Sequence, residues 1–257
     1  MTTDRTIQLP DRGIEGRLWV AVLDVADAQP NGWTLIGALM VLLHAHDHGL
    51  DAGRTTRDAD ALVDVRGIAQ ATRRLVVTLE RLGWQLHPDH PKADDIAFRF
   101  AKDGLLFDVL APDGLGQRID LTTLPPLRTV PMTGGSRALH RTTVRDVALG
   151  GRAGQPPVPD LLGALLIKSR AATADHAATA DPGHRPERHP EDLAVLYACA
   201  TDLRALAADT TNRDRRNLRD APEPHWHVLE PRLRPQAQAA HRYLTGPGAP
   251  GQPRGRR

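Results

Sequence analysis

The chain has 257 residues, of which 40% are hydrophobic and 25% charged, with a formal charge of +2. That length can bury one large core or two small ones, and the composition is that of an ordinary globular protein. A single cysteine, Cys199, excludes an intramolecular disulfide and a cysteine-built zinc site, so a reducing cytosol is the expected compartment. The N-terminus is polar, which predicts no signal peptide, and the longest apolar run, at 161–167, is far too short to span a bilayer. A pI near 9.0 is mildly basic and does not by itself point to nucleic acid. Aromatic residues make up only 4%, so Leu, Val, Ala and Ile must do most of the packing.

Residues 18–28 are expected to form a short helix that stops before Pro30 and Gly32. Trp33, Thr34, Leu35 and Ile36 read as a strand that runs straight into Gly37, and a helix follows through Ala38, Leu39, Val41, Leu42 and Leu43. A glycine at such a junction marks a sharp turn or a close approach of the backbone to a ligand. Residues 59–65 alternate, with Ala59, Ala61, Val63 and Val65 on one face and Asp58, Asp60, Leu62 and Asp64 on the other. Period two is the mark of a half-buried strand.

An amphipathic helix is predicted over 68–82, ending at Gly83. Residues 96–100 alternate again, Lys102-Asp103-Gly104 is turn chemistry, and 105–110 is the return strand of a hairpin. Residues 122–136 are rich in proline and glycine and read as loop, with a further strand within 140–149. Asp160 opens an apolar helix through Leu161, Leu162, Leu165, Leu166 and Ile167. Residues 174–188 are polar and read as an exposed loop. Pro190, with Glu191 and Asp192, suits the first turn of the next helix, through Leu193, Leu196 and Leu203. The last third is helical with a basic segment at 213–216, and from Gly246 the composition is that of a disordered tail. Mixed strands and helices followed by helices alone indicate an α+β class, with a core over 1–155, a helical part over 156–245 and the tail over 246–257.

Asp58 and Asp60 lie two apart on a strand and therefore share a face. Neighbouring carboxylates repel, and burying them without cations costs several kcal/mol or forces protonation. A divalent metal removes that cost, and two metals about 4 Å apart held by shared carboxylates are a common device for in-line displacement at phosphorus. Asp108 interrupts an apolar strand where a hydrophobic residue would pack better. Beside the Asp58 strand it would reach the same metals and could orient or deprotonate an attacking hydroxyl. The competing reading is a carboxylate that caps the backbone or pairs with an arginine such as Arg99. Asp64 shares the face but sits too far along the strand to join the site.

The strand from Trp33 into Gly37, followed by Arg54, Thr56, Asp58 and Asp60 at alternate positions, resembles the opening motif of the DNA polymerase beta-type nucleotidyltransferase superfamily. Within it the similarity is to the AbiEii/MenT-like toxin group of toxin–antitoxin systems. Asp108 matches the third aspartate of the family, Lys168 its lysine in an apolar helix, and Asp192 an acidic residue that opens a later helix. The resemblance covers roughly 32–196. It implies a mixed-sheet nucleotidyltransferase core, Mg2+ or Mn2+ on Asp58, Asp60 and Asp108, and an NTP bound at Gly37, Ala38, Arg57, Lys168 and Asp192. It further implies transfer of a nucleoside monophosphate to a hydroxyl of tRNA, other RNA or protein, and a cognate antitoxin.

At Ala38 the family carries a hydroxyl residue or a second glycine. That departure is the best support for an alternative, a nucleotide-binding protein of the same fold with weakened catalysis. A small-molecule, aminoglycoside-type nucleotidyltransferase would share the metal site. A zinc centre on His44 and His48, four apart on a helix, lacks a Glu between them and a third ligand. Favourable histidines at a helix end fit that cluster better.

Overall fold

The computed structural model describes residues 5–11, 13–88, 96–177 and 187–246. The chain divides into two compact units, Met1–Ala164 and Leu165–Arg257. The class is α+β with mixed sheets. Among the described residues no helix is long and apolar enough to cross a membrane.

The first unit opens with β1 (Ile7–Gln8) and α1 (Gly13–Ala28), which starts five residues earlier than the apolar pattern predicts. Then come β2 (Trp33–Ile36) and α2 (Gly37–Asp47), where the sequence places them, and β3 (Asp58–Val63), which ends two residues before the predicted 59–65 stretch does. Helix α3 (Ala71–Arg81) begins later than the predicted residue 68. The reason is local: the Asp64 carboxylate accepts the Gly67 N–H at 2.9 Å, and Gln70 has φ +55, so a turn occupies the stretch before Ala71.

Strand β4 (Gln85–Leu86) and the hairpin of β5 (Arg99–Lys102) and β6 (Leu105–Pro112) follow. Asp103 and Gly104 both take positive φ, 50° and 76°, as a two-residue hairpin turn matched to strand twist requires. The expected loop over 122–136 also contains β7 (Pro131–Met132) and the start of α4 (Gly135–His140). The single strand expected within 140–149 is instead two, β8 (Thr142–Val144) and β9 (Val147–Leu149), and β10 (Arg152–Gly154) and β11 (Pro157–Pro159) complete the set.

The main sheet runs β2-β3-β6-β5-β4, with β7 on β6. β2 is antiparallel to β3, β3 parallel to β6, and β5 antiparallel to β6. Trp33, Ala61, Val63, Phe107 and Phe100 fall on one face by this register. There Phe107 meets Trp84 and Trp33 edge-on at 5.5 and 6.5 Å, a packing that adds to the burial of large rings. The opposite face carries Asp58, Asp60 and Asp108.

Helix α5 (Leu161–Ala177) continues through part of the predicted 174–188 loop, and the boundary between the two units falls within it. The boundary expected at 155/156 would have cut off β11, which pairs with β8 in the first unit. The rest of that loop, 178–186, and the tail beyond Gly246 lie outside the described residues. Asp160 caps α5 by accepting the Gly163 N–H at 2.8 Å.

The second unit holds α6 (Arg188–Ala198), α7 (Leu203–Asp209), α8 (Asn212–Arg219), a 3-10 turn at Trp226–Val228 and α9 (Arg234–Thr245). Leu203 opens α7 rather than extending α6, because Asp202 caps the new helix through the Ala205 N–H. The guanidinium of Arg215, a residue only 5% exposed, donates to Ala207 O and Leu244 O and so ties the ends of α7 and α9 to α8.

Candidate active site on the carboxylate face

Thr56 sets the entry to β3: its hydroxyl accepts the Asp58 N–H at 3.1 Å. Two residues on, Asp60 stands directly opposite Asp108 in the parallel β3–β6 pair, while Asp58 stands opposite Leu106. Residues in register project to the same side. Three carboxylates from two strands therefore gather on one face, Asp58 and Asp60 half-buried and Asp108 buried.

Gly37 closes the site from β2, following Ile36, which pairs with Asp60. Its φ is +71°, and an added Cβ would stand 1.7 Å from Asp60 Oδ2. Both facts demand glycine. The strand-to-helix turn brings the backbone against the Asp60 carboxylate and sets that anion at the N-terminus of α2, where the helix dipole favours negative charge. Gly37 and Ala38 are partly accessible, whereas Leu39 to Ala45 are buried, so the mouth of the helix is its open end.

Arg99 completes the arrangement. It lies opposite Asp108 in the β5–β6 hairpin and grips it in a two-pronged contact, Nε to Oδ1 at 2.8 Å and Nη2 to Oδ2 at 2.7 Å. The hydrogen bond to Asp108 raises the Arg99 pKa against the opposing effect of burial, and the charges of Asp108, Asp58 and Asp60 add to it. Sequence reasoning considered Arg99 only as a rival partner for Asp108. The signal for more was present: a two-residue turn at Asp103-Gly104 fixes the hairpin register, and the fourth residues out on either side of the turn are Arg99 and Asp108.

The fit to a divalent cation differs among the three acids. Asp58 Oδ1 is buried with no hydrogen-bond partner, the condition that a cation relieves. Asp60 lies beside it on the same strand face. Asp108 spends both oxygens on Arg99, and among the described residues no group of three or more His, Cys, Asp or Glu is placed to hold a metal ion. Asp58 Oδ1 alone offers an unpartnered buried oxygen to a cation, and Asp108 is held by a guanidinium.

Arg57 is exposed immediately before β3, and its carbonyl accepts the Leu106 N–H at 3.0 Å. Lys168 and Asp192 belong to the second unit, where they meet each other: Nζ to Oδ2 is 2.7 Å, with both side chains buried. The histidines of α2 are committed to structure. His44 Nε2 donates to Pro159 O at 3.0 Å, and His48 Nδ1 donates to His44 O at 2.8 Å. Burial pushes the His44 pKa down to about 4, against the raising effect of its bond to Pro159.

No family model, no curated protein and no solved structure matches the chain.

Proposed function

We propose that this protein is a cytoplasmic, metal-dependent nucleotidyltransferase that moves a nucleoside monophosphate from an NTP to a hydroxyl acceptor. The observation that carries the reading is the register of Asp60 against Asp108, with Asp58 on the same face and the glycine-opened N-terminus of α2 beside them. Carboxylates packed this closely on one face, one with an orphaned buried oxygen, are costly unless a cation joins them. An open helix N-terminus next to them suits phosphate oxygens.

Asp58 and Asp60 would hold Mg2+ or Mn2+, with Asp108 as the third ligand. When bound, the metal supplies charge neutralisation at the triphosphate. The chain's own residues do the rest. Gly37 lets the Asp60 carboxylate pack against the start of α2, where any side chain would collide with it. Arg57, exposed at the rim, offers positive charge to the nucleotide. Lys168 and Asp192, which family resemblance assigns to the nucleotide, are paired with each other in the second unit. The acceptor oxygen bonds to the α-phosphorus, the bond from that phosphorus to the bridging oxygen of the β-phosphate breaks, and pyrophosphate leaves. The hydroxyl proton passes to a carboxylate of the site. Tight placement and preset charge account for most of the rate gain in such transfers.

RNA, tRNA in particular, or a protein hydroxyl is the acceptor class, and an antitoxin is the matching partner class. A second reading has its own support. Arg99 occupies Asp108, and Ala38 replaces the usual hydroxyl or glycine, a combination that suits a protein that binds nucleotide without turning it over. Incubation with Mg2+ and each labelled NTP, with total RNA, purified tRNA, protein or an amino sugar as acceptor, separates the readings. Label transferred to RNA or protein and lost in Asp60→Asn supports the enzyme, and transfer to the amino sugar alone moves the acceptor to a small molecule. NTP binding without transfer to any acceptor supports the binding protein.

A further inference from the structure

We infer that Arg99 is a built-in countercation that competes with divalent metal for Asp108, so that the third carboxylate becomes a ligand only when the guanidinium leaves it. The inference rests on the nucleotidyltransferase reading and assigns Arg99 a positioning role within it.

Four observations carry it. The contact is two-pronged, so both Asp108 oxygens that a metal would use are taken. The partners differ in freedom: the Asp108 side chain is 6% exposed and fixed in the sheet, whereas the Arg99 side chain is 39% exposed and has solvent to move into. The guanidinium also lies 5.8 Å from the Phe98 ring centre, an aromatic face on which it can rest once released. Finally, Arg99 feels the charges of Asp58 and Asp60 as well as its hydrogen bonds to Asp108, and Asp58 Oδ1 is buried with no hydrogen-bond partner.

A divalent ion entering at Asp58 and Asp60 repels Arg99 and attracts Asp108, so metal entry and guanidinium departure are coupled. The released guanidinium is then a forked donor close to the phosphates of an incoming triphosphate, a group it matches in geometry. Metal alone should therefore bind weakly, and metal with NTP more tightly, because the nucleotide gives Arg99 a new partner.

Mn2+ titration calorimetry on the full chain tests this with wild type, Arg99→Met and Arg99→Lys, with circular dichroism as the fold control. Arg99→Met should bind Mn2+ about tenfold more tightly than wild type, or measurably where wild type shows no binding without nucleotide. It should also lose most of the tightening that a non-hydrolysable NTP gives wild type. Arg99→Lys keeps the charge but loses the fork, should bind a few-fold more tightly, and carries the test alone if the methionine variant does not fold. Equal or weaker Mn2+ binding by a folded variant, with wild type binding Mn2+ and Asp60→Asn not, overturns the role of Arg99 and leaves the enzyme reading standing. No Mn2+ binding by any variant, with or without nucleotide, removes the metal site and the inference together.

Discussion

The Arg99–Asp108 pair of the first unit and the Lys168–Asp192 pair of the second share a contact distance of 2.7 Å and little else. Lys168 and Asp192 are 7% and 2% exposed, a lysine and a carboxylate paired inside a helical unit. Arg99 is 39% exposed, and its partner shares a sheet face with Asp58, whose Oδ1 is buried with no hydrogen-bond partner. A sealed, matched pair contributes mainly by being intact, since removing one partner strands a buried charge. A half-open pair beside an unpartnered carboxylate oxygen is one that a cation can rearrange. The same two-residue contact is thus a structural member in one unit and a replaceable placeholder in the other.

The largest effect expected from breaking this comparison lies in the second unit. Lys168→Met should destabilise the protein by about 3–5 kcal/mol in urea unfolding, because Asp192 is left charged and buried. Lys168→Met combined with Asp192→Leu should recover most of the loss. If the double variant is no more stable than the single one, the pair is not the matched unit described above.

His44 sets the next largest effect, within the first unit. Its folded pKa lies near 4, below the ordinary value of 6.5, so as pH falls the unfolded chain takes up the proton first. Its contribution is complete above about pH 6.5 and is lost as pH falls toward 4, by up to about 3 kcal/mol. Unfolding measured at pH 7 and pH 4.5 should show this loss, and His44→Gln should flatten it.

Gly37→Ala should cost about 1–3 kcal/mol for the positive φ and displace the Asp60 carboxylate, with nucleotide transfer falling by about a hundredfold. Unchanged transfer would show that the close approach of Gly37 to Asp60 does not matter to the site. Asp64→Ala should show the smallest effect, about 1 kcal/mol from the lost turn contact to Gly67, with transfer within about twofold of wild type. A large loss of transfer would bring Asp64 into the site after all.

Much of the site is legible in the sequence alone. Alternation over 59–65 placed Asp58 and Asp60 on one face, and the apolar surroundings of Asp108 marked it as out of place. The junction glycine stands out in the sequence, although its reason, the 1.7 Å between an added Cβ and the Asp60 carboxylate, belongs to the fold. The parallel pairing of β3 with β6 was not legible, because the strands are more than forty residues apart and no local turn sets their register. The β5–β6 register was legible from its two-residue turn. The short strands β8 to β11 carried too few residues for a period to emerge. In the second unit the spacing of Lys168 and Asp192 gave no sign that they meet, since that contact depends on how α5 and α6 pack.

Anomalous diffraction from crystals grown with Mn2+ and a non-hydrolysable NTP tests the central claim most directly. The account predicts a manganese peak against the Asp58 and Asp60 carboxylates, with Arg99 moved off Asp108. Nucleotide bound with no manganese on β3, or manganese bound at a different place, would contradict it.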